Sequence, residues 1–309
     1  MQKSATMVGA GLIGRAWAMV FARAGWTVKV FDQDPAQLAA ARDRVAADLA
    51  EQQAFRLVAD GAAAAARISW CDRLRDALEG ADWVQENLPE DVEVKREIFS
   101  LLDAESRPDA ILASSTSAIP ASRFTESLAG RARCLVAHPV NPPHLVPVVE
   151  LCGAPWTAPA TVERAHAVMS SIGQVPIVVR RELDGFVLNR LQGALLSEAM
   201  RLVGEGYVTP ADLDKTVSEG LGLRWSFMGP FATIELNAPG GVADYCARYS
   251  GFYRRLAGDP PAPAVWDGEN AQRVTAALGA PPEAREARTA WRNTRLLALR
   301  RHKRELDNK

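Results

Sequence analysis

The sequence predicts an α/β chain, a doubly wound parallel sheet followed by a smaller all-α domain. Residues 5–32 read as a strand, a glycine-rich turn, a helix and a second strand. Short apolar runs then alternate with helical patterns as far as residue 179, as a parallel sheet covered on both faces requires. Beyond residue 183 the apolar spacing is helical throughout, so the division falls into residues 1–182 and 183–309.

The first strand is the apolar run Ala5 to Val8, followed at once by Gly9-Ala10-Gly11-Leu12-Ile13-Gly14. Apolar residues at Ile13, Ala16, Trp17, Val20 and Phe21 mark the helix, Gly25 ends it, and the second strand closes on Asp32. A bare GxGxxG is a weak signal. In this context, with an acid 18 residues after its last glycine, it predicts a Rossmann-type dinucleotide site. Gly9 permits the tight turn, Gly11 lets backbone N–H groups approach a pyrophosphate, and Gly14 lets helix and strand pack closely. The N–H groups of Leu12 and Ile13 lie at the positive end of the helix dipole, which favours the anion. Asp32 suits an adenosine ribose and repels a 2′-phosphate, and no basic residue follows it before Pro35, so the expected cofactor is NAD.

Residues 35–60 form an alanine-rich helical stretch, and further strands are expected at 68–70, 82–86 and 110–113. The polar turns Glu86–Glu90 and Ser114–Ser117 fall at strand carboxyl ends, where ligands bind in such sheets. A serine cluster there also serves as an ordinary helix N-cap. The stretch Cys134 to Leu151, CLVAHPVNPPHLVPVVEL, reads as a strand, a proline-rich loop and another strand. If the two strands lie side by side, Glu150 can hold the imidazole of His138 and stabilise it when it takes a proton. The alternative is a His capping a strand while Glu150 faces solvent.

After a helix at 161–172 and a strand at 175–179, Asp184-Gly185 opens a long apolar helical pattern through Val203. Its coverage on several faces predicts a helix buried in the second domain or at a subunit contact, interrupted early by Asn189 and Arg190. Residues 220–230 read as a glycine-punctuated aromatic loop carrying one basic residue, Arg224, and residues 283–306 as a basic amphipathic helix.

With 36 basic and 37 acidic residues, the formal net charge is −1, which argues against nucleic acid or an anionic membrane as a partner. Cys71, Cys134, Cys152 and Cys246 are widely spaced, which fits free thiols in a reducing, cytoplasmic compartment, and no metal site is expected. The apolar N-terminus from Ala5 to Ala22 is broken by Arg15 and three glycines, so it reads as neither signal peptide nor membrane span.

The stretches GAGLIGRAWAMVFA (9–22), ENLPEDVEVKREIF (86–99), SSTS (114–117), VAHPVNPPHLVPVVEL (136–151), GFVLNRLQGALLSEAMRLV (185–203) and SEGLGLRWSFMGP (218–230) are collinear. Together they resemble the L-3-hydroxyacyl-CoA dehydrogenase superfamily, most closely its lambda-crystallin / L-gulonate 3-dehydrogenase branch. The resemblance implies an NAD-dependent oxidation of a 3-hydroxy compound by a homodimer joined through its helical domain. It implies that His138 is the general base, oriented by Glu150, and that Ser117 and Asn189 hydrogen-bond the reacting oxygen. It places Asn141 in the site, and Glu90 and Lys95 near the nicotinamide ribose.

Residues 223–225, Leu-Arg-Trp, depart from the acyl-CoA enzymes of the family. Arg224 suits bidentate binding of a free carboxylate, which favours a small L-3-hydroxy acid such as L-gulonate; pairing with a nearby acid to hold the loop is the alternative. L-Carnitine is a rival substrate, because Trp225, Phe227, Phe231 and Tyr245 offer material for an aromatic cage. A short-chain 3-hydroxyacyl-CoA is another, although no basic track for its phosphates stands out. A structural, crystallin-like NAD-binding protein without turnover is the reading from a different class, and the intact set Ser117, His138, Glu150 and Asn189 speaks against it.

Overall fold

The structure is a computed structural model that describes residues 2–279, 281 and 283–307. The chain opens as β1 (Ser4–Val8), α1 (Leu12–Arg23), β2 (Thr27–Phe31), α2 (Pro35–Ala54), α3 (Gly61–Ala65), β3 (Ile68–Cys71), α4 (Leu74–Leu78) and β4 (Trp83–Glu86). It continues with α5 (Val92–Glu105), β5 (Ile111–Ser114), α6 (Ser122–Thr125), β6 (Cys134–Pro139), β7 (Val148–Gly153), α7 (Pro159–Ser171) and β8 (Val175–Val179). Then come α8 (Leu188–Gly204), α9 (Pro210–Lys215), α10 (Gly222–Trp225), α11 (Pro230–Glu235), α12 (Gly241–Ala257), α13 (Gly268–Leu278) and α14 (Ala284–Asp307).

The eight strands form one sheet in the order β3-β2-β1-β4-β5-β6-β7-β8. The first six are mutually parallel, β7 runs antiparallel to β6, and β8 is parallel to β7. Central strands such as β4 and β5 are buried at every position, as strands covered on both faces must be. Successive residues serve opposite layers: Trp83 packs with Trp17, Phe21 and Leu49, while Val84 packs with Phe99, Leu102 and Phe124.

The glycine turn is fixed by sterics. Gly9 has φ +98°, a left-handed conformation that favours glycine. A Cβ on Gly14 would lie 1.8 Å from the Gly9 carbonyl oxygen, so no larger residue lets α1 start this close to β1. A Cβ on Gly11 would meet nothing within 4 Å, so this glycine answers to something outside the chain's own packing.

Two compact units emerge, Met1–Asn189 with Arg288–Lys309, and Arg190–Ala287. The sequence division puts the last helix with the second domain, whereas here α14 from Arg288 onward packs with the first unit. Leu297 is buried there, and the Arg304 guanidinium donates to the Leu57 carbonyl at 3.0 Å. In the second unit, Arg201 bridges Glu198 (2.6 Å) and Asp259 (2.9 Å). The Asn270 amide donates to the carbonyls of Met200 and Val265, both at 2.9 Å.

Three expectations are corrected. The helix expected from Asp184 begins at Leu188, because Gly185 (φ +75°) and Phe186 (φ +48°) are both left-handed and no helix propagates through them. Its apolar surface is not buried in the chain: Leu191, Leu195 and Leu196 are exposed, and Val203 is the buried residue of α8. The expected loop at 220–230 is mostly helical, a π-helical turn Thr216–Leu221 running into α10.

The two glycines separate packing from binding. Gly14→Ala is expected to destabilise the chain by at least ~2 kcal/mol in urea unfolding, because the methyl has nowhere to go. Gly11→Ala should cost under ~1 kcal/mol yet weaken dinucleotide binding measured by titration of NADH fluorescence.

Candidate active site

Antiparallel pairing of β6 with β7 sets His138 directly opposite Glu150. Residues paired across two strands present their side chains on the same face, so carboxylate and imidazole meet. Glu150 Oε2 lies 2.7 Å from His138 Nδ1, and Glu150 is fully buried. Its other oxygen accepts the backbone N–H groups of Val187 (2.8 Å) and Leu188 (2.9 Å), at the entry to α8. Burial alone would raise the Glu150 carboxyl. The hydrogen bonds from His138, Leu188 and Val187 outweigh it and hold the group below the usual carboxylate range. The buried Phe186 ring packs 5.6 Å from the His138 ring, centroid to centroid.

A second carboxylate organises the turn after β5. Glu90 accepts the Thr116 hydroxyl and the backbone N–H groups of Ser117 (3.1 Å), Ala118 (3.2 Å) and Ile119 (3.3 Å). Desolvation pushes this carboxyl up, but those hydrogen bonds, with help from the charge of Lys95, hold it below its ordinary value. The Asn189 amide donates to the Ser117 carbonyl at 2.9 Å, so Ser117 and Asn189 are brought together. The Ser114–Ser117 cluster is therefore anchored to Glu90 and Asn189 and does not simply cap α6, whose N-cap residue is Ala121. Asn141 sits in the β6–β7 connection, where its peptide bond to Pro142 is cis.

Lys95 has a partner other than the expected ribose. Its ammonium lies 3.1 Å from both oxygens of Glu86, in a pair buried on both sides. Glu86 also accepts the Ser114 hydroxyl and the Leu88 N–H (2.6 Å). Glu86 was read from the sequence only as part of a polar turn; the signal was present as a Glu and a Lys facing one another from β4 and α5. The N–H contacts of Glu150 with Val187 and Leu188 left no trace in residue type, because they are made by backbone.

At the other end of the sheet's carboxyl edge, Asp32 Oδ2 accepts the Ala10 N–H at 2.7 Å and Oδ1 the Asp34 N–H at 3.0 Å. These bonds fasten the glycine turn to the end of β2. Gly11 is the N-cap of α1, no side chain caps that helix, and no acid occupies its first turn. In the second unit, Arg224 is exposed on α10, and among the described residues no carboxylate pairs with its guanidinium. No group of His, Cys, Asp and Glu suited to a metal occurs among the described residues.

Residues 4–183 match the family description "3-hydroxyacyl-CoA dehydrogenase, NAD binding domain", and residues 185–267 match its C-terminal domain. The chain belongs to the 3-hydroxyacyl-CoA dehydrogenase family. Within it, this dehydrogenase is 45% identical over 308 residues to the lambda-crystallin homolog of Bos taurus, covering 97% of this chain and 95% of that one. It is 38% identical over 234 residues to an L-carnitine dehydrogenase of Pseudomonas sp, covering 76% and 72%. A solved structure, 5-formyl-3-hydroxy-2-methylpyridine 4-carboxylic acid 5-dehydrogenase, superposes with TM-score 0.84 at 31% identity and covers 97% of this chain and 98% of its own. The protein is an NAD-dependent oxidoreductase of the 3-hydroxy acid and 3-hydroxyacyl-CoA type, on the lambda-crystallin branch of its family.

The residues present fit NAD. The uncapped N-terminus of α1 beside the open face of Gly11 offers N–H groups of Leu12 and Ile13 to a pyrophosphate, and Asp32 ends β2 where a ribose would lie. Glu90 and Asn87 stand at the end of β4, on the same carboxyl edge.

Both Glu90 and Glu150 have folded values below the ordinary 4.5. Each therefore contributes stability that is complete above the unfolded value and is lost as pH falls through the folded one. The expected result is a melting temperature that falls steeply below about pH 4.5. Glu90→Gln and Glu150→Gln should each flatten that acid limb in a pH series of thermal melts.

Proposed function

We propose that this enzyme oxidises the 3-hydroxyl of a small L-3-hydroxy acid to the 3-keto acid, with L-gulonate as its substrate. The observation that carries the reading is the buried His138–Glu150 pair. With Nδ1 turned to the carboxylate, the imidazole presents Nε2 to the substrate, so His138 is the general base for the hydroxyl proton. Glu150 fixes the tautomer and stabilises the imidazolium that results. Bound NAD supplies the hydride acceptor. Ser117 and Asn189, held together by the Asn189 amide, position the reacting oxygen with Asn141 nearby. In this reading Glu90 faces the nicotinamide ribose and Lys95, engaged by Glu86, supports Glu90 through its charge, both in the Rossmann-type unit, while Arg190–Ala287 carry the substrate and subunit contacts.

The free acid is favoured over a thioester by Arg224. Its guanidinium has no ion-pair partner among the described residues, and a planar fork of donors matches a carboxylate. The full-length match to lambda-crystallin relatives, against the shorter match to the carnitine enzymes, favours the lambda-crystallin branch over the carnitine one. L-Carnitine stays a second reading because it too carries a carboxylate, and because Trp225, Phe227 and Phe231 are exposed aromatics near Arg224 in sequence. A homodimer formed through the helical domain would cover Leu191, Leu195 and Leu196, whose exposure is hard to sustain in water. A cytoplasmic setting suits the free cysteines.

NAD-dependent turnover on L-gulonate, L-3-hydroxybutyrate, L-carnitine and 3-hydroxybutyryl-CoA decides the substrate; the highest kcat/KM on L-carnitine or the thioester would overturn the gulonate reading. His138→Gln should keep NADH affinity within about twofold and lower kcat by roughly 10²–10⁴. Near-normal kcat in that variant removes His138 as the base. Arg224→Met should raise KM for the free acid by about tenfold or more with little change in kcat; an unchanged KM dismisses the carboxylate anchor.

A further inference from the structure

A chain of polar side chains runs through the first unit at the carboxyl edge of its sheet. Trp17 lies on α1, whose N-terminus is the dinucleotide turn, and its indole N–H donates to the Ser115 hydroxyl oxygen at 3.1 Å. The Gln85 amide nitrogen donates to the same oxygen at 2.8 Å and to the Ala137 carbonyl at 3.3 Å. The Gln85 amide oxygen accepts the Trp83 indole N–H at 2.9 Å. The Ser115 hydroxyl in turn donates to the Asn87 amide oxygen at 2.8 Å. The Asn87 amide nitrogen donates to the carbonyls of Gln85 (2.8 Å) and Val8 (3.3 Å), and the Asn87 backbone N–H donates to Val8 as well, at 2.8 Å. Trp17, Trp83 and Gln85 are completely buried.

The direction of each bond in this chain is forced. An indole N–H can only donate, and a backbone carbonyl can only accept. The Trp83 indole and the Ala137 carbonyl therefore leave one orientation for the Gln85 amide, oxygen toward Trp83 and nitrogen toward Ala137. Ser115 Oγ then receives two donors, so its own hydrogen goes to Asn87. That fixes the Asn87 amide with its nitrogen toward Val8 and Gln85, where a flipped oxygen would face two carbonyls. Such a network adds little net stability over apolar side chains of the same shape; what it secures is one arrangement.

The arrangement it secures is the seam where a dinucleotide lies. β1 pairs with β2 on one side and with β4 on the other, and open α/β sheets take their ligand in the crevice at such a reversal. Asn87 crosses that seam with both of its bonds to Val8, the last residue of β1. It also backs the glycine turn. A Cβ on Gly9 would lie 3.0 Å from the Asn87 carbonyl oxygen, and one on Gly14 would lie 3.3 Å from the Asn87 amide nitrogen. We propose that Ser115 is a positioning residue for the cofactor, its hydroxyl locking the Asn87 amide that holds the end of β1 and the glycine turn in register for NAD. Trp17 ties α1, whose first N–H groups face the pyrophosphate, to the same hydroxyl. Ser115 thus acts through Asn87 and α1 and not on the reacting atoms. The inference rests on the NAD dependence of the family and is independent of which substrate the enzyme turns over.

Titration of NADH fluorescence, thermal melts of the full chain and steady-state kinetics on its best hydroxy substrate separate positioning from packing. Ser115→Ala takes the shared partner from Trp17, Gln85 and Asn87. It should weaken NADH binding about tenfold and raise KM for NAD by a like factor, while KM for the hydroxy substrate stays within about twofold. Asn87→Ala should weaken NADH binding at least as much. Because Ser115 acts through that amide, the double variant should match Asn87→Ala alone within about twofold. A Ser115→Ala protein that melts lower yet binds NADH as the wild type does reduces the network to packing and overturns the proposal. Effects that multiply in the double variant overturn it too, as does a KM for the hydroxy substrate that rises in step with that for NAD. Should the variants fail to fold, the wild-type Trp17 indole N–H resonance gives a second reading. It is expected to shift when NADH is added, and an unmoved resonance overturns the role of Ser115.

Discussion

One carboxylate ties the active unit together. Glu150 spends one oxygen on His138 and the other on the N–H groups of Val187 and Leu188, so the orientation of the imidazole and the entry of α8 depend on the same group. A charge with no solvent contact is tolerated only when its lone pairs are filled by good donors, and here three donors converge on it. Asn189 follows directly after Leu188, so the residue that grips Ser117 is set by the helix start that Glu150 fixes. His138, Glu150 and the Asn189 amide form one mechanical unit.

Glu90 and Glu86 repeat this logic on the neighbouring strand ends. Glu90 gathers three backbone N–H groups of the turn after β5, and Glu86 ties Lys95, Ser114 and Leu88. The carboxyl edge of the sheet thus carries acids whose oxygens are taken up by protein donors, Glu86 buried and Glu90 exposed. Rigidity there matters because a reacting alcohol must meet its base and its hydride acceptor within a few tenths of an ångström.

Much of this was legible in the residues. The GxGxxG context, the alternation of strands and helices and the closing Asp32 prescribe the first sheet order, because glycine sterics and parallel crossovers leave few alternatives. The pairing of His138 with Glu150 was legible once two strands were assumed adjacent, since parity alone puts both side chains on one face. What the residues concealed has a common cause. The start of α8 depends on the left-handed pair Gly185-Phe186, and phenylalanine gives no warning of that geometry. The helical character of 220–225 was masked by Gly220 and Gly222, read as loop formers although the chain coils through them. Glu86 and Lys95 stand only nine residues apart, on β4 and α5, whereas the arginines around His144 join residues far apart in the chain that no local spacing encodes.

The antiparallel pairing of β6 with β7 has an evolutionary corollary. Side chains alternate faces along a strand, so a single-residue insertion inside either one would carry Glu150 to the opposite side of the sheet and leave His138 unsupported. The connection between them, residues 140–147, imposes no such parity and can lengthen or shorten while the pair persists. Variation among descendants of this chain should accordingly accumulate as length changes in that hairpin loop, with the two strands conserved in residue count even where their side chains drift.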